Sequence, residues 1–211
     1  TPPTQPIIAT MLKRKFHVPI LYMLQDIFPY SLANLGITKR RGIIWKLGLR
    51  IEDFSYRNAD KIIVISKDFQ NHLLDKGVPQ EKIKIIYNWV EQDNVYYVDR
   101  EHNDLFDKYG IKRNDFILSY AGNIGLSQDI DLLIKSALLL TEYKDIMFII
   151  VGDGARKKEL VSKIEDSHIE NIICLPFQDY KDIAKVFSIG DVGLIISKKN
   201  VGSNSVPSKT W

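Results

Sequence analysis

Cysteine is nearly absent from this 211-residue chain, with Cys174 the only one. One thiol excludes a disulfide framework and suits a reducing compartment. It stands in the apolar run Ile172-Ile173-Cys174-Leu175. A packing role is expected there, because thiolate chemistry needs an accessible, electropositive site. Histidine is also scarce. His17, His72, His102 and His168 are not spaced as metal ligands, so no metal is expected and all four read as surface residues. No unbroken apolar run reaches the roughly 20 residues of a membrane span. The most apolar early window, residues 16–37, is interrupted by Pro19, Gln25, Asp26 and Pro29. No secretory leader, serine-hydrolase elbow, internal repeat or low-complexity tract is visible. The first residue is Thr1, so the chain is expected to begin mid-protein.

Charge is present but uneven. Residues 1–90 hold 14 Lys and Arg against 7 Asp and Glu, whereas residues 91–211 hold 15 against 19. Lys13-Arg14-Lys15 and Lys39-Arg40-Arg41 contribute to the basic part. No aromatic residues interleave these clusters as a single-strand binder requires, so nucleic acid is not the expected partner. An anionic membrane surface ranks ahead of it.

Short apolar, β-branched runs alternate with segments of helical period. Strands are expected at residues 19–24, 61–65 and 83–86, with helices at 43–58 and 68–76. Ser66 is placed to cap the second helix and Gly77 to end it. The pattern dissolves near residue 90, and residues 91–115 read as a linker with one helical turn near 105–109. A second set of strands is expected at 116–121, 146–151, 171–175 and 192–196, with helices at 129–140, 155–166 and 179–187. Uniformly apolar strands separated by helices indicate parallel sheets covered on both faces. The expected fold is therefore α/β, with two Rossmann-like doubly wound domains, both incomplete: residues 1–90 and 116–211, joined by the linker.

In such sheets ligands bind beyond the carboxyl ends of the strands. Two of those positions are glycine-rich, Gly122-Asn123-Ile124-Gly125 and Gly152-Asp153-Gly154. A glycine after a strand lets backbone amides approach a phosphate, and the next helix adds a positive N-terminus. Each loop alone is equally well explained as a tight strand-to-helix turn. Together they favour a phosphate-bearing ligand. Neither is a P-loop, and Lys157 stands where the dinucleotide fingerprint carries its third small residue. Asp153 is placed either to hold a sugar hydroxyl or to cap the next helix. Lys198, Lys199 and Lys209 are candidate point charges for a diphosphate. Asp26, after an apolar strand and before Ile27-Phe28-Pro29, is a candidate cleft carboxylate or a turn former.

The ordered series of motifs resembles the GT-B glycosyltransferases of family 4. It comprises Asp26-Ile27-Phe28-Pro29, Ala59 to Ser66, Gly77-Val78-Pro79, Tyr87-Asn88-Trp89-Val90, Tyr120 to Gly125, Ile149 to Gly154 and Gly190 to Leu194. Val206-Pro207-Ser208-Lys209 is similar to the branch that builds bacterial surface polysaccharides, including fucosamine-transferase-like enzymes. The resemblance implies a nucleotide sugar, UDP ahead of GDP, and transfer to a lipid-linked or growing glycan acceptor. Retention of configuration, no metal and a cytoplasmic location, peripheral on the inner membrane face, are implied with it. Residues 1–90 would belong to the acceptor-side domain, with Asp26 as the catalytic candidate. Gly122, Asn123 and Gly125 would face the diphosphate or sugar, Gly152, Asp153 and Gly154 the nucleotide, and Phe177 the base.

Two departures from the family stand out. Asn123 and Gln128 occupy loop positions where relatives carry an arginine and a lysine. Their role would shift to Lys198, Lys199 or Lys209. The upstream glycine loop and histidine, and the downstream glutamate pair, are expected outside residues 1–211, so this stretch alone is expected to be inactive. An epimerase-like protein of the same fold and a degenerate partner subunit remain alternatives.

Overall fold

The computed structural model describes residues 5–30, 33, 42–91 and 93–199. They form two compact units, one reaching Trp89 and one running Val90–Lys198. Both are α/β with parallel sheets.

The first unit comprises α1 (Gln5–Phe16), β1 (Leu21–Leu24), α2 (Ile43–Asn58), β2 (Lys61–Val64), α3 (Lys67–Asp75) and β3 (Ile83–Ile85). Its strands lie in the order β1-β2-β3. The parallel register aligns Tyr22 with Ile62 and Ile62 with Ile83. Alternation then puts Tyr22, Leu24, Ile62, Val64, Ile83 and Ile85 on one face. That face packs with Tyr56, Phe69 and Leu73 into a buried core. Ser66 caps α3 as expected, its hydroxyl accepting the Phe69 amide at 3.2 Å. Gly77 ends that helix with φ +76°, a conformation only glycine adopts without strain. α1 has no clear signature in the sequence, because its Lys13-Arg14-Lys15 block interrupts any apolar stripe.

His72 corrects one expectation. It is not a surface histidine: its Nε2 lies 2.8 Å from Glu52 Oε1, and its ring meets Tyr30 edge-on. The Glu52 side chain is only 3% exposed. It also accepts the Tyr56 hydroxyl at 3.0 Å and the Lys76 ammonium at 2.5 Å. A carboxylate this deeply buried persists because three donors replace its water. Burial alone pulls Lys76 down, yet the bonds to Glu52 and Asp53 outweigh it and raise its pKa. The same burial and the Glu52 charge push the Tyr56 hydroxyl far up. The cluster ties α2 to α3.

The second unit comprises α4 (Leu105–Tyr109), β4 (Phe116–Ala121), α5 (Ile130–Leu139), β5 (Ile146–Val151), α6 (Lys157–Asp166), β6 (Ile172–Leu175), α7 (Ile183–Phe187) and β7 (Val192–Gly193). Strand order is β6-β5-β4-β7, all pairs parallel. Tyr120, Phe148 and Ile150 pack with α5 and with Leu160 of α6. Ile117, Ile149 and Val151 pack with Leu105, Phe106 and Val186. Both faces are therefore covered, as the unbroken apolar runs required. Leu105, Phe106 and Ile111, within the stretch read as linker, belong to this core. Arg100 and Asp191 fasten that stretch: Arg100 Nη2 donates to Asp191 Oδ2 at 2.8 Å, and the same oxygen accepts the Ile117 amide at 2.7 Å. Cys174 is half-buried and its thiol is pushed up by burial, which fits the packing role.

Candidate functional site

The carboxyl ends of three strands of the second unit lie level. Ala121 is aligned with Val151, and Val151 with Leu175. The loops after β4, β5 and β6 therefore emerge side by side, carrying Gly122–Gly125, Gly152–Gly154 and Pro176–Phe177. The two glycine loops interlock. The Gly122 amide donates to Val151 O at 2.9 Å, the Ile124 amide to Asp153 O at 2.7 Å, and the Arg156 amide to Ile124 O at 2.9 Å.

The glycines are required for this contact. A Cβ on Gly152, whose φ is +150°, would sit 1.9 Å from Gly122 O. One on Gly154, with φ +151°, would fall 2.4 Å from Asn123 Oδ1, and one on Gly125 2.7 Å from Asn123 Nδ2. The Asn123 side chain is thus folded between Gly125 and Gly154. The Tyr120 hydroxyl donates to Asn123 O at 2.7 Å and holds the turn from below. Among the described residues Asp153 neither caps α6 nor pairs with a cation. Its Oδ1 accepts the Gly154 amide at 2.7 Å, while the carboxylate stays exposed. The amides of Asn123 and Asp153 have no acceptor among the described residues. Two unpaired donors on neighbouring loops can receive an anion.

The cations around these loops divide into occupied and available. Arg156, 11% exposed, forks onto Glu159 at 2.7 and 2.8 Å and donates to Gln128 O at 3.0 Å. Lys157 donates to Gly152 O at 2.7 Å and Leu175 O at 3.4 Å. Lys198 is different. Its amide donates to Ser127 O at 2.8 Å, tethering it to the glycine loop after β4, and its ammonium has no partner among the described residues. Gln128 does not replace a missing cation: its Oε1 accepts the Gly125 amide at 2.9 Å and the Ser127 hydroxyl at 3.0 Å. Lys199 is exposed, and Lys209 lies outside the described residues. Phe177 is 74% exposed beyond β6. Asp26 is exposed just past β1 in the first unit.

Arg156 and Lys157 are not legible from the sequence as parts of this arrangement, and Gln128 is legible there only as a missing cation. The third-glycine position of the fingerprint, filled by Lys157, was the one available signal. Each unit also has a recess at the amino ends of its own strands. One of about 530 Å³ is lined by Asp53, Arg57, Lys76 and Lys82, and one of about 420 Å³ by Lys112, Tyr143, His168 and Asn171. Neither includes any residue of the two glycine loops. No group of three or more His, Cys, Asp or Glu with metal-site geometry occurs among the described residues.

Residues 2–94 match the family described as Glycosyltransferase Family 4, and residues 101–202 the family described as Glycosyl transferases group 1. Over 189 residues, the chain is 27% identical to the colanic acid biosynthesis glycosyl transferase WcaI of Escherichia coli, covering 88% of this chain and 46% of that protein. It is 26% identical to the glycosyltransferase WbjE of Pseudomonas aeruginosa, covering 90% of this chain and 47% of that one. The chain thus spans about half the length of these relatives. A crystal structure of Anabaena Alr3699/HepE in complex with UDP superposes with a TM-score of 0.71 at 21% identity, over 90% of this chain and 50% of that one.

Proposed function

Both units carry glycosyltransferase sequence and the α/β architecture of the GT-B fold, and from that premise we propose that the whole protein moves a sugar from a nucleoside diphosphate to a lipid-linked or growing glycan acceptor in bacterial surface-polysaccharide synthesis. The observation that carries this reading is the pair of interlocked glycine loops at neighbouring strand ends, with Lys198 tethered beside them. The donor diphosphate lies over the Asn123 and Asp153 amides, with the Lys198 ammonium as its counter-charge and the nucleoside toward Phe177. The UDP bound by the Anabaena protein favours a uridine donor.

Chemistry in such a site is electrostatic. Charge builds on the diphosphate as its bond to the anomeric carbon breaks, and preorganised donors stabilise it there. The acceptor hydroxyl attacks the same carbon, and Asp26 is the catalytic candidate among the residues of this chain. We assign a retaining outcome without a metal, as the family resemblance implies. Val206-Pro207-Ser208-Lys209 supports placement among fucosamine-transferase-like enzymes, and Lys209 as a second diphosphate contact.

The reaction takes place at the inner membrane face, where α1 and α2 present the docking surface. Ile8, Met11, Leu12 and Phe16 of α1 and Ile43, Ile44 and Leu47 of α2 are exposed. Arg14, Lys15, Lys46 and Arg50 lie on the same two helices, and α1 has no acidic residue. No helix among the described residues is long and apolar enough to cross a membrane.

Calorimetry of the full-length protein with a panel of UDP- and GDP-sugars, followed by product analysis, tests the proposal. Transfer to an acceptor is expected. Epimerised sugar nucleotide without transfer would replace the reaction. Absence of nucleotide binding would favour a partner subunit, a reading that the lack of cations at Asn123 and Gln128 also supports.

A further inference from the structure

The N-terminus of α6 breaks a local rule. Helix N-termini carry partial positive charge and favour Asp or Glu, and α6 has Glu159 in its first turn, yet three cations come before it: Arg156 at the cap, then Lys157 and Lys158. Arg156 is balanced by Glu159. Lys157 has no carboxylate partner among the described residues. Its ammonium turns back to the sheet and bridges Gly152 O, just beyond β5, and Leu175 O, the last residue of β6, at 2.7 and 3.4 Å. Consistent residue choices at every level mark a foldable sequence, and a local violation points to a functional or strained position.

We propose that Lys157 is a positioning residue for the donor nucleotide, setting the separation between the Gly152–Gly154 loop and the Pro176–Phe177 loop. The proposal rests on the donor site described above. Strand-end carbonyls would otherwise present partial negative charge toward an anionic ligand. One ammonium held between two of them draws the loops together and offsets that charge without touching the ligand. An apolar or small residue at 157, as in the dinucleotide fingerprint, leaves both carbonyls unbridged. The slot for the nucleoside then widens, while the glycine loop after β4 keeps its own supports, the Tyr120 hydroxyl and Arg156.

The test is steady-state kinetics of the full-length enzyme with its nucleotide sugar, for wild type, Lys157→Met and Lys157→Arg. Lys157→Met is expected to raise KM for the donor about tenfold with kcat within about twofold, and Lys157→Arg, which keeps the charge and donors, to recover part of the loss. Thermal unfolding of each variant separates positioning from folding. An unchanged donor KM in a folded Lys157→Met protein overturns the proposal, as does a loss of kcat that follows the loss of folded protein. If Lys157→Met does not fold, Lys157→Gln removes the charge while keeping a donor, and an unchanged KM there is equally decisive. Wild-type protein that binds no nucleoside diphosphate overturns the donor-site reading itself, and this proposal falls with it.

Discussion

At the scale of single residues, the glycines of the two loops act first on each other. Gly152 allows its backbone to lie against Gly122 O, and Gly154 makes room for the Asn123 amide. Any side chain at 152 meets both a backbone oxygen and a positive φ. Gly152→Ala is therefore expected to destabilise the chain by more than about 2 kcal/mol, visible as a lower Tm. Lys198 is proposed to act on the ligand instead. With no protein partner among the described residues, its removal leaves no unpaired carboxylate behind, so Lys198→Ala is expected to leave Tm unchanged. It should weaken UDP binding roughly tenfold or more, the size of a charge-assisted contact. Calorimetry reads both the affinity and its salt dependence. The glycine pattern was visible from composition and position alone. The roles of Arg156 and Lys157 were not, because each donates to a carbonyl far off in the sequence, Gln128 O and Leu175 O, and Gln128 serves its own loop by accepting the Gly125 amide.

At the scale of elements, α6 is held to α5 by charge as well as by Leu160. Lys163 pairs with Asp131, and Arg156 and Lys163 both reach Glu159. The Arg156 hydrogen bonds hold the Glu159 carboxyl at about 2, below its ordinary 4.5. A carboxyl with a depressed pKa in the folded chain adds stability above its ordinary value and loses it as pH falls toward the folded value. Lys163 likewise lowers Asp131. Stability is thus expected to decline between about pH 4.5 and 2, and Glu159→Gln to flatten that decline in urea titrations run across the range.

Element positions were largely readable from the sequence. α2, β4 and β5 match the expected spans because their apolar periods are unambiguous. The last strand is a two-residue β7 rather than residues 192–196, since only Leu118 and Ser119 pair with it. α1 and the burial of His72 were not readable. The first has a weak stripe, and the second depends on Glu52, twenty residues away on another helix.

At the scale of the molecule, the basic excess of residues 1–90 is joined to exposed apolar side chains on α1 and α2. Each Lys or Arg near an anionic surface contributes about 1 kcal/mol, screened by salt. The full-length protein is expected to bind phosphatidylserine-containing vesicles at low salt and to leave them near 0.5 M salt. Arg14→Glu with Lys15→Glu is expected to abolish the binding. Equal binding to neutral vesicles would remove the electrostatic part of the docking.

The donor site can be tested most directly by hydrogen exchange of the full-length protein with and without UDP. Slower exchange is predicted on UDP addition at residues 122–128, 152–157 and 176–178, where the three loops leave adjacent strand ends. Protection confined to the amino ends of the same strands, around Lys112, His168 and Asn171, would contradict the placement of the nucleotide at the glycine loops.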